Sequence, residues 1–385
     1  MVTQTSKKWQ TVKLSEIADV RDGTHATPKK LAVGRPLITS KQLKEGTILA
    51  TDYCISEADF NEVNKRSKVD INDVLITMIG TVGDTVFIKE EPHFAIKNIG
   101  LIKNKDSILG KFIFYWLNSP AGKHEINKRI RGTSQGFISL GSLRDLNISI
   151  PERTNQENII DVLSAYDDLI ENNNRRIKIL EDIAQKIYTE WFVDFRFPGY
   201  EKVKFGKDGL PEEWEIKKVE DIIKRIPAGK KYENKTVEPT GAVPVLDQGK
   251  TGVIGYHNDE PGVIASVSNP IIVFANHTCY QNLIMFPFSA IQNVLPFVPV
   301  DERNIYWLHF ATKDLISFND YKGHWPEFMT KKLVVPSVEM TKRYGSQIQE
   351  NIISKYKMEK MNESLKKYRD LLIPQLVTGK LEIKS

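Results

Sequence analysis

The chain has 385 residues and a formal net charge of +5 at pH 7, and 41% of its residues are hydrophobic while 27% are charged. This composition is typical of a soluble globular protein, and the length exceeds what one hydrophobic core usually supports. We find neither a run of about 18 apolar residues that would predict a membrane span nor a basic-then-apolar secretion leader. Cys54 and Cys279 suit no metal spacing, so we expect incidental thiols in a reducing cytoplasm.

The first half begins with a mixed pattern of strands and helices. Short β-rich runs at residues 74–79 and 85–89 are separated by glycine and proline, and residues 111–118 predict a helix. Residues 1–150 contain 22 Lys and Arg against 16 Asp and Glu, and residues 341–385 contain 10 against 5. This basic surplus favours a polyanionic partner.

A long heptad pattern follows Pro151. Apolar residues recur at alternating steps of four and three, which predicts a helix over residues 155–192 that Pro198 and Gly199 close. The seam includes one polar residue, whose role in a helix pair would be to fix the register. Its members are Ile159, Leu163, Tyr166, Ile170, Asn173, Ile177, Leu180 and Ile187.

The second half follows the same order. Residues 243–246, 263–267, 271–275 and 294–300 predict strands, and residues 305–313 predict a helix. A second, less regular heptad seam comes next, and Pro374 is expected to kink or end its helix. Ile348 and Ile352 do not join this register without a break. The seam consists of Met358, Met361, Leu365, Tyr368 and Leu372.

Four sequence segments recur in the same order in both halves, which indicates that the chain contains an internal duplication. Gln-Glu-Asn-Ile-Ile occurs at residues 156–160 and 349–353, and Tyr-Trp-Leu at 115–117 and 306–308. Two looser matches join residues 9–17 to 214–222, and Arg131-Gly132 to Lys322-Gly323. A repeat of this kind constrains the whole architecture.

The duplication predicts an α+β fold with a pseudo-two-fold internal repeat. Two mixed α/β domains are separated by two long helices, which pair antiparallel as in a coiled coil because each apolar seam needs a partner. In the alternative arrangement, each helix packs onto its own domain. The predicted boundaries are 1–152 for the first domain, 153–197 for the first helix, 198–340 for the second domain, and 341–385 for the second helix and tail.

No motif in the chain predicts catalysis. Residues 249–251 (Gly-Lys-Thr) resemble the end of a phosphate-binding loop, but Pro244 occupies the position of the required glycine. Dinucleotide-binding and amino-methyltransferase motifs are missing, and the seven histidines lack metal-ligand spacing. What repeats between the halves is aromatic, aliphatic and helical, which predicts a scaffold and not an enzyme.

Over nearly its whole length the chain resembles the specificity subunits of type I restriction-modification systems. The opening segments 9–17 and 214–222, the strand-turn at 73–83, the start of the first helix at 151–157 and the ending 371–380 carry the resemblance, together with 243–248 and 323–325. It implies two target recognition domains that read an asymmetric bipartite double-stranded DNA target. It also implies spacer helices that bind two modification (methyltransferase) subunits and, with them, restriction (endonuclease and translocase) subunits. S-adenosylmethionine, ATP and Mg²⁺ would belong to those partners, with adenine N6 as the methylated atom and no cofactor bound by this chain.

The candidate DNA-binding residues are basic, amide or hydroxyl side chains on glycine-rich loops, because phosphate contacts set affinity and base-edge contacts set specificity. Trp325 is included because it could stack on a base, although a lone Trp is more often packed in its own domain. The candidates are Lys65, Arg66, Lys68, Arg129, Arg131, Gly132, Thr133, Gln135, Gln248, Lys250, Lys322, Gly323, His324 and Trp325.

Two alternative functions remain open. One is the recognition module of another type of restriction-modification protein, which would require methylase motifs that this chain does not carry. The other is a coiled-coil scaffold that does not bind DNA. Salt-dependent binding to duplex DNA distinguishes the scaffold from the specificity subunit.

Overall fold

The computed structural model describes residues 9–44, 46–132, 136–249, 252–318, 320 and 322–383. The chain forms two compact units, one made of Met1–Glu171 with Glu363–Ser385 and the other of Asn172–Asn362. Both long helices cross the boundary between the units, so each unit contains a mixed domain and a part of each helix.

The first unit starts with the strands and helices of the first domain. The strands are β1 (Gln10–Lys13), β2 (Asp19–Asp22), β3 (Arg35–Thr39), β4 (Leu43–Lys44), β5 (Thr47–Ile48), β6 (Cys54–Ile55), β7 (Val74–Thr77), β8 (Thr85–Phe87), β9 (Ala95–Lys97), β10 (Ile99–Lys103) and β11 (Asn147–Ile150). The helices are α1 (Leu14–Ile17), α2 (Glu57–Ser67), α3 (Ser107–Asn118), α4 (Pro120–Asn127), α5 (Leu140–Arg144) and the long α6 (Arg153–Tyr188).

A π-helical turn (Thr189–Val193) and a 3-10 turn (Tyr200–Lys202) lead from α6 into the second domain. Its strands are β12 (Glu215–Lys218), β13 (Ile223–Arg225), β14 (Val243–Leu246), β15 (Val253–His257), β16 (Ile271–Ala275), β17 (Gln281–Ile284), β18 (Ser289–Ala290), β19 (Val294–Pro299) and β20 (Lys332–Val335). The helices are α7 (Val219–Ile222), α8 (Ile305–Thr312), α9 (Trp325–Thr330) and the long α10 (Val338–Leu376).

The two domains share the topology of their three main sheets, and the first domain adds the hairpin β4-β5. An antiparallel four-stranded sheet has the order β2-β10-β7-β8 in the first and β13-β19-β16-β17 in the second. A three-stranded sheet, with one antiparallel and one parallel pairing, has the order β6-β3-β9 in the first and β15-β14-β18 in the second. The first and last domain strands pair in both, as β1-β11 and β12-β20. The duplication seen in the sequence is therefore a duplication of the fold.

The repeated Tyr-Trp-Leu triplet belongs to the core of each domain. Helix α3 starts four residues before the predicted position, because Asp106 caps it by accepting hydrogen bonds from the backbone N–H of Ile108 and Leu109. Asn304 caps α8 in a similar way. Both triplets are buried. Their recurrence therefore reflects packing.

The long helices run antiparallel within each unit, as the heptad pattern predicts. In the second unit, Asn173 donates a hydrogen bond to Asn362 (2.8 Å), and Tyr344 donates one to the backbone oxygen of Ala184 (3.0 Å). In the first unit, the start of α6 and the end of α10 share one core with the aromatic residues of α3. The helices thus pack on each other and also on the domains, so the two arrangements considered above occur together.

The predicted register of the second seam is wrong at two positions. Met361 and Tyr368 are 48% and 58% exposed. Their neighbours face inward instead, with Asn362 buried and Arg369 half-buried. A count of apolar residues cannot find polar seam positions, and Ile348 and Ile352, which the count left out, are buried. Helix α10 also continues past Pro374 to Leu376.

One predicted strand is not formed. Residues 263–267 make a single bridge, between Val263 and Phe288, and no ladder. Val263 and Ala265 are buried while Ile264 is exposed, so the alternation of a strand is present without a neighbouring strand to pair with. Strands β15 and β17 were not predicted, since their glycine, histidine, glutamine and asparagine residues have low β-propensity.

Candidate nucleic-acid interface

Polar segments meet at one end of the first four-stranded sheet. Asp22, the last residue of β2, pairs with Gly100, and Thr77, the last residue of β7, pairs with Ile99 at the start of β10. The segment after β2, the turn after β7 and Asn98 before β10 therefore lie together. We call this the turn end of the sheet.

The turn after β7 supports the loop that contains Arg131. Gly80 and Gly83 have φ values of 82° and 99° in this turn, a conformation that glycine adopts without strain. The Gly80 N–H donates to the oxygen of Gly136 (3.1 Å), and the N–H of Ile138 donates to the oxygen of Met78 (2.9 Å).

The loop itself is closed by an antiparallel bridge between Arg131 and Phe137, with two backbone hydrogen bonds of 2.9 Å. Arg131 and Gly132 are exposed at the base of this loop. The candidates Thr133 and Gln135 lie outside the described residues.

The second domain assembles the same end from different residues. The turn after β16 begins at Asn276, whose backbone oxygen accepts a hydrogen bond from the N–H of His324 (2.8 Å). The adjacent His277 ring donates from Nδ1 to the oxygen of Lys322 (3.0 Å), and the His277 N–H donates to Oε1 of Gln248 (2.8 Å). The candidates Gln248 and Lys322 are more than 70 residues apart in the chain, and both contact His277.

Three other candidates near this turn differ in their roles. Gly323 allows close approach, since a Cβ there would lie 3.0 Å from Nδ2 of Asn276. The His324 side chain is fully buried, with Nε2 donating to the oxygen of Asp320 (3.0 Å), so it supports the loop and cannot reach a base. Lys250 lies outside the described residues.

Trp325 packs within its own domain. Its ring lies 5.4 Å from the ring of Phe328 and 5.8 Å from that of Phe274, measured between centroids. Its backbone N–H donates a hydrogen bond to Oδ1 of Asn276 (2.8 Å). This is the role expected for a lone Trp.

The positive charge of Lys322 is only weakly offset by a neighbouring carboxylate. Its Nζ lies 4.0 Å from Glu327, which is bound more closely by Lys331 at 3.0 Å. The hydrogen bond from Lys331, followed by the charges of Lys331, Lys322 and His324, holds the pKa of Glu327 below its ordinary value. Glu327 is therefore ionised near pH 7, but Lys331 is its main partner.

Three first-domain candidates are directed away from the turn end. Lys65 pairs with Glu62 (2.5 Å) on the surface of α2, and Lys68 pairs with Asp70 (2.7 Å), a contact that raises the pKa of Lys68. Asp70 also binds Lys103, the last residue of β10, which places Lys68 at the opposite end of the sheet.

Arg129 is held in a similar way. It binds Glu125 (2.7 Å) and the backbone oxygen of Asp145 (3.0 Å), which directs it away from Arg131. Burial raises the pKa of Glu125, but the hydrogen bonds from Arg129 and Lys128 outweigh it and leave that pKa lowered.

Arg66 does reach the turn end, through residues that the sequence reading missed. It binds the buried Asp22, which also contacts His25, and His25 contacts Asn98. In the second domain the missed residues are Asn276 and His277. In the second domain a signal was present, since Asn276 and His277 directly follow the strongly apolar strand β16. In the first domain Asn98, directly before β10, gave a comparable signal, whereas Asp22 and His25 did not.

Within the described ranges, no group of three His, Cys, Asp or Glu side chains is placed to hold a metal ion. A search of the described helices finds none that is long and apolar enough to cross a membrane.

Comparison with known proteins identifies relatives of both halves. Residues 6–182 match the family model described as "Type I restriction modification DNA specificity domain". The "Type I restriction enzyme MjaIX specificity subunit" of Methanocaldococcus jannaschii is 24% identical over 426 residues, covering 98% of this chain and 95% of that protein. The "Type I restriction enzyme EcoR124I/EcoR124II specificity subunit" of Escherichia coli is 28% identical over 141 residues, covering 34% of this chain and 33% of that protein.

A solved structure has the same fold. The crystal structure of a "Type-I restriction-modification system S subunit from M. genitalium" matches with a TM-score of 0.60 at 16% identity, covering 98% of each chain. At this identity the match establishes the shared fold, including both domains and both long helices.

Proposed function

Because the chain belongs to the family of type I restriction-modification specificity subunits, we propose that each unit reads one half of a bipartite DNA target through the turn end of its four-stranded sheet. The protein gives a type I enzyme its DNA sequence specificity. The observation that carries the proposal is the meeting of separate polar segments at the same end of two sheets with the same topology.

The two turn ends differ in chemistry, so the target is asymmetric. The first presents Arg131 and Arg66, while the second presents Lys322, His277 and Gln248. Lys and Arg supply phosphate contacts that position the protein, and Arg, Gln and His donors and acceptors distinguish base edges in the major groove. Different side chains on the same scaffold select different half-sites.

The paired helices are the proposed docking surface for the modification subunits. In the second unit, Ile179 and Ile183, one turn apart on α6, are exposed beside the helix seam, as is Met361 of α10. Exposed apolar residues that cluster in this way are typical of an interaction surface. In the first unit, Leu169, Tyr368 and Leu371 are exposed in the same way. Two exposed patches agree with two methyltransferase subunits, one at each unit.

The chemistry resides in the partner subunits under this proposal. The chain supplies recognition and assembly and has no catalytic residue of its own. S-adenosylmethionine serves the modification subunits, and ATP with Mg²⁺ serves the restriction subunits, all in the cytoplasm.

The test is methylation by the reconstituted complex of a DNA library randomised in both half-sites. Wild type is expected to methylate adenine in one asymmetric bipartite sequence. Arg131→Ala should alter only the first half-site and Lys322→Ala only the second, and each lost phosphate contact should lower the salt slope of binding by about one unit. An equal effect of Arg131→Ala on both half-sites contradicts the assignment of one reader to each half.

A scaffold that does not bind DNA is the second candidate, favoured only by the exposed apolar residues of the helices. Titration of the purified chain with duplex DNA at increasing salt separates the two. Binding that weakens steeply with salt supports the specificity subunit, whereas no binding even at low salt supports the scaffold.

A further inference from the structure

Asp22 is a buried carboxylate with two partners. Its side chain is only 7% exposed, yet it ends β2 at the turn end of the first sheet. One oxygen accepts a hydrogen bond from Nη2 of Arg66, and the other lies 2.9 Å from Nε2 of His25. A buried carboxylate needs such compensation, because an unpaired charge inside a protein is costly.

His25 closes this cluster without offering a nitrogen to a ligand. Its Nδ1 lies 2.8 Å from Oδ1 of Asn98, so both ring nitrogens are engaged. Asn98 is itself fixed, with a φ of 54° and a backbone N–H that donates to the oxygen of Thr24 (3.2 Å). The cluster therefore holds Asp22 in place from the side opposite Arg66.

Arg66 differs from the other members because most of it faces solvent. Its side chain is 61% exposed. Among the residues that the structure describes, Asp22 is the one partner of its guanidinium. Nε, Nη1 and the second hydrogen of Nη2 remain available as donors. An arginine normally loses considerable side-chain freedom on binding, and the bond to Asp22 restricts that freedom in advance.

We propose that Arg66, positioned by Asp22, reads a guanine in the first half of the DNA target. Arginine donates two hydrogen bonds to O6 and N7 of guanine in the major groove, a contact that requires a fixed orientation. A phosphate would be served better by an unpaired cation, whereas the negative charge of Asp22 offsets the attraction of Arg66 for phosphate. The Arg66–Asp22 pair therefore favours directional hydrogen bonds to a neutral base edge over attraction to a phosphate.

The second domain has no such pair at the matching place. Asp22 lies opposite Gly100, the second residue of β10. In the second domain, the pairing of Arg225 with Phe297 places Pro227 opposite Leu295, the second residue of β19, and proline carries no carboxylate. The guanine contact is thus specific to the first half-site. This inference rests on the proposed function, since it names the base that one of the two readers selects.

The experiment uses the full chain reconstituted with its methyltransferase partner and a duplex library randomised in both half-sites. Wild type is expected to require guanine at one position of the first half-site. Arg66→Lys keeps the charge and the partner Asp22 but removes the two-pronged donor, and it should lower the guanine preference at that position about tenfold or more. Asp22→Asn should weaken the preference at the same position, because Arg66 loses the negative charge that holds it in place.

Lys65→Ala is the matched control, since it removes one positive charge from the adjacent position on α2 and should leave every base preference unchanged. Circular dichroism and thermal melting establish that each variant is folded, and Arg66→Lys carries the test if Asp22→Asn is not. Unchanged base preferences in folded Arg66→Lys, with wild type selective, would overturn the guanine contact alone. No sequence preference in wild type would overturn the proposed function as well.

Discussion

The carboxylate of Asp167 joins three helices within the first unit, and its removal is the sharpest test of how the domain is fixed to the helix pair. Tyr115 of α3 donates to Oδ2 (2.5 Å), and Arg369 of α10 donates to Oδ1 (2.5 Å). Burial, followed by the charge of Asp167, raises the pKa of Tyr115 far above its ordinary value, so its hydroxyl remains a donor at every pH of interest. Asp167→Ala leaves both donors without their acceptor.

The expected cost follows from these contacts. Hydrogen bonds to a charged group contribute about 1.5–3 kcal/mol each, and breaking a buried pair by removing one partner costs roughly 3–5 kcal/mol. Arg369 keeps Asp370 as a second partner (2.8 Å), and the pair is partly exposed, which reduces the loss. We expect Asp167→Ala to lower the free energy of unfolding of the first unit by about 2–4 kcal/mol.

Urea unfolding gives the free energy, and hydrogen exchange localises the change to α3 and to the end of α10. Asp168→Ala is the matched control, because Asp168 is the next residue on α6 and is exposed, and its cost should be within about 0.5 kcal/mol. Tyr115→Phe, which keeps the ring but not the hydroxyl, should account for about 1–2 kcal/mol of the total. Equal stability of Asp167→Ala and Asp168→Ala would refute the role of this carboxylate.

Three further outcomes are expected. Replacing Leu163 and Ile170 with Asp should disrupt helix pairing and subunit assembly, measured by size-exclusion chromatography, and intact assembly would contradict the seam. Because Leu163 also packs in the core shared with α3, thermal melting of the first unit should shift to lower temperature. Truncation after Val193 leaves α6 without α10, so sedimentation should show a symmetric dimer that binds an inverted repeat of the first half-site, and a folded monomer at micromolar concentration would count against antiparallel pairing. Burial, followed by the charges of Lys313 and Lys355, lowers the pKa of His309 to about 3. Below its ordinary pKa, this histidine is therefore protonated in the unfolded chain but not in the folded chain. The free energy of unfolding should fall by up to about 1.4 kcal/mol per pH unit as pH drops from about 6.5 towards 3. His309→Gln should flatten this dependence in urea titrations, and an unchanged slope would show that His309 is not responsible.

The long-range repeats and the strongly apolar strands could be read from the sequence because each depends on local pattern. The strand at 271–275 and the helix α6 follow directly from runs and heptads. The register of α10 could not be read, because Asn362 and Arg369 are held in the seam by specific partners, Asn173 and Asp167. These partners lie about 190 and 200 residues away in the chain.

The candidate surfaces show the same division. A basic, glycine-rich loop marked Arg131 and Lys322, but nothing local distinguishes Arg66, which faces the turn end, from Lys68, which pairs at the other end of the sheet. That distinction depends on Asp22, a residue 44 positions earlier. The sequence pattern therefore located the loops, whereas the ion pairs at each end of the sheet determine which side chains lie at the turn end.

The second unit is one uninterrupted segment, from Asn172 to Asn362, whereas the first is assembled from both ends of the chain. The ends of that segment are fastened to each other, since Asn362 bonds both Asn173 and Asn174. A segment whose two ends meet can be exchanged as a cassette with little strain on its host. If each unit reads one half-site, as proposed, exchange of this stretch of the gene would substitute one half-site and preserve the other, and new target sequences would arise by combination without any change in the first unit.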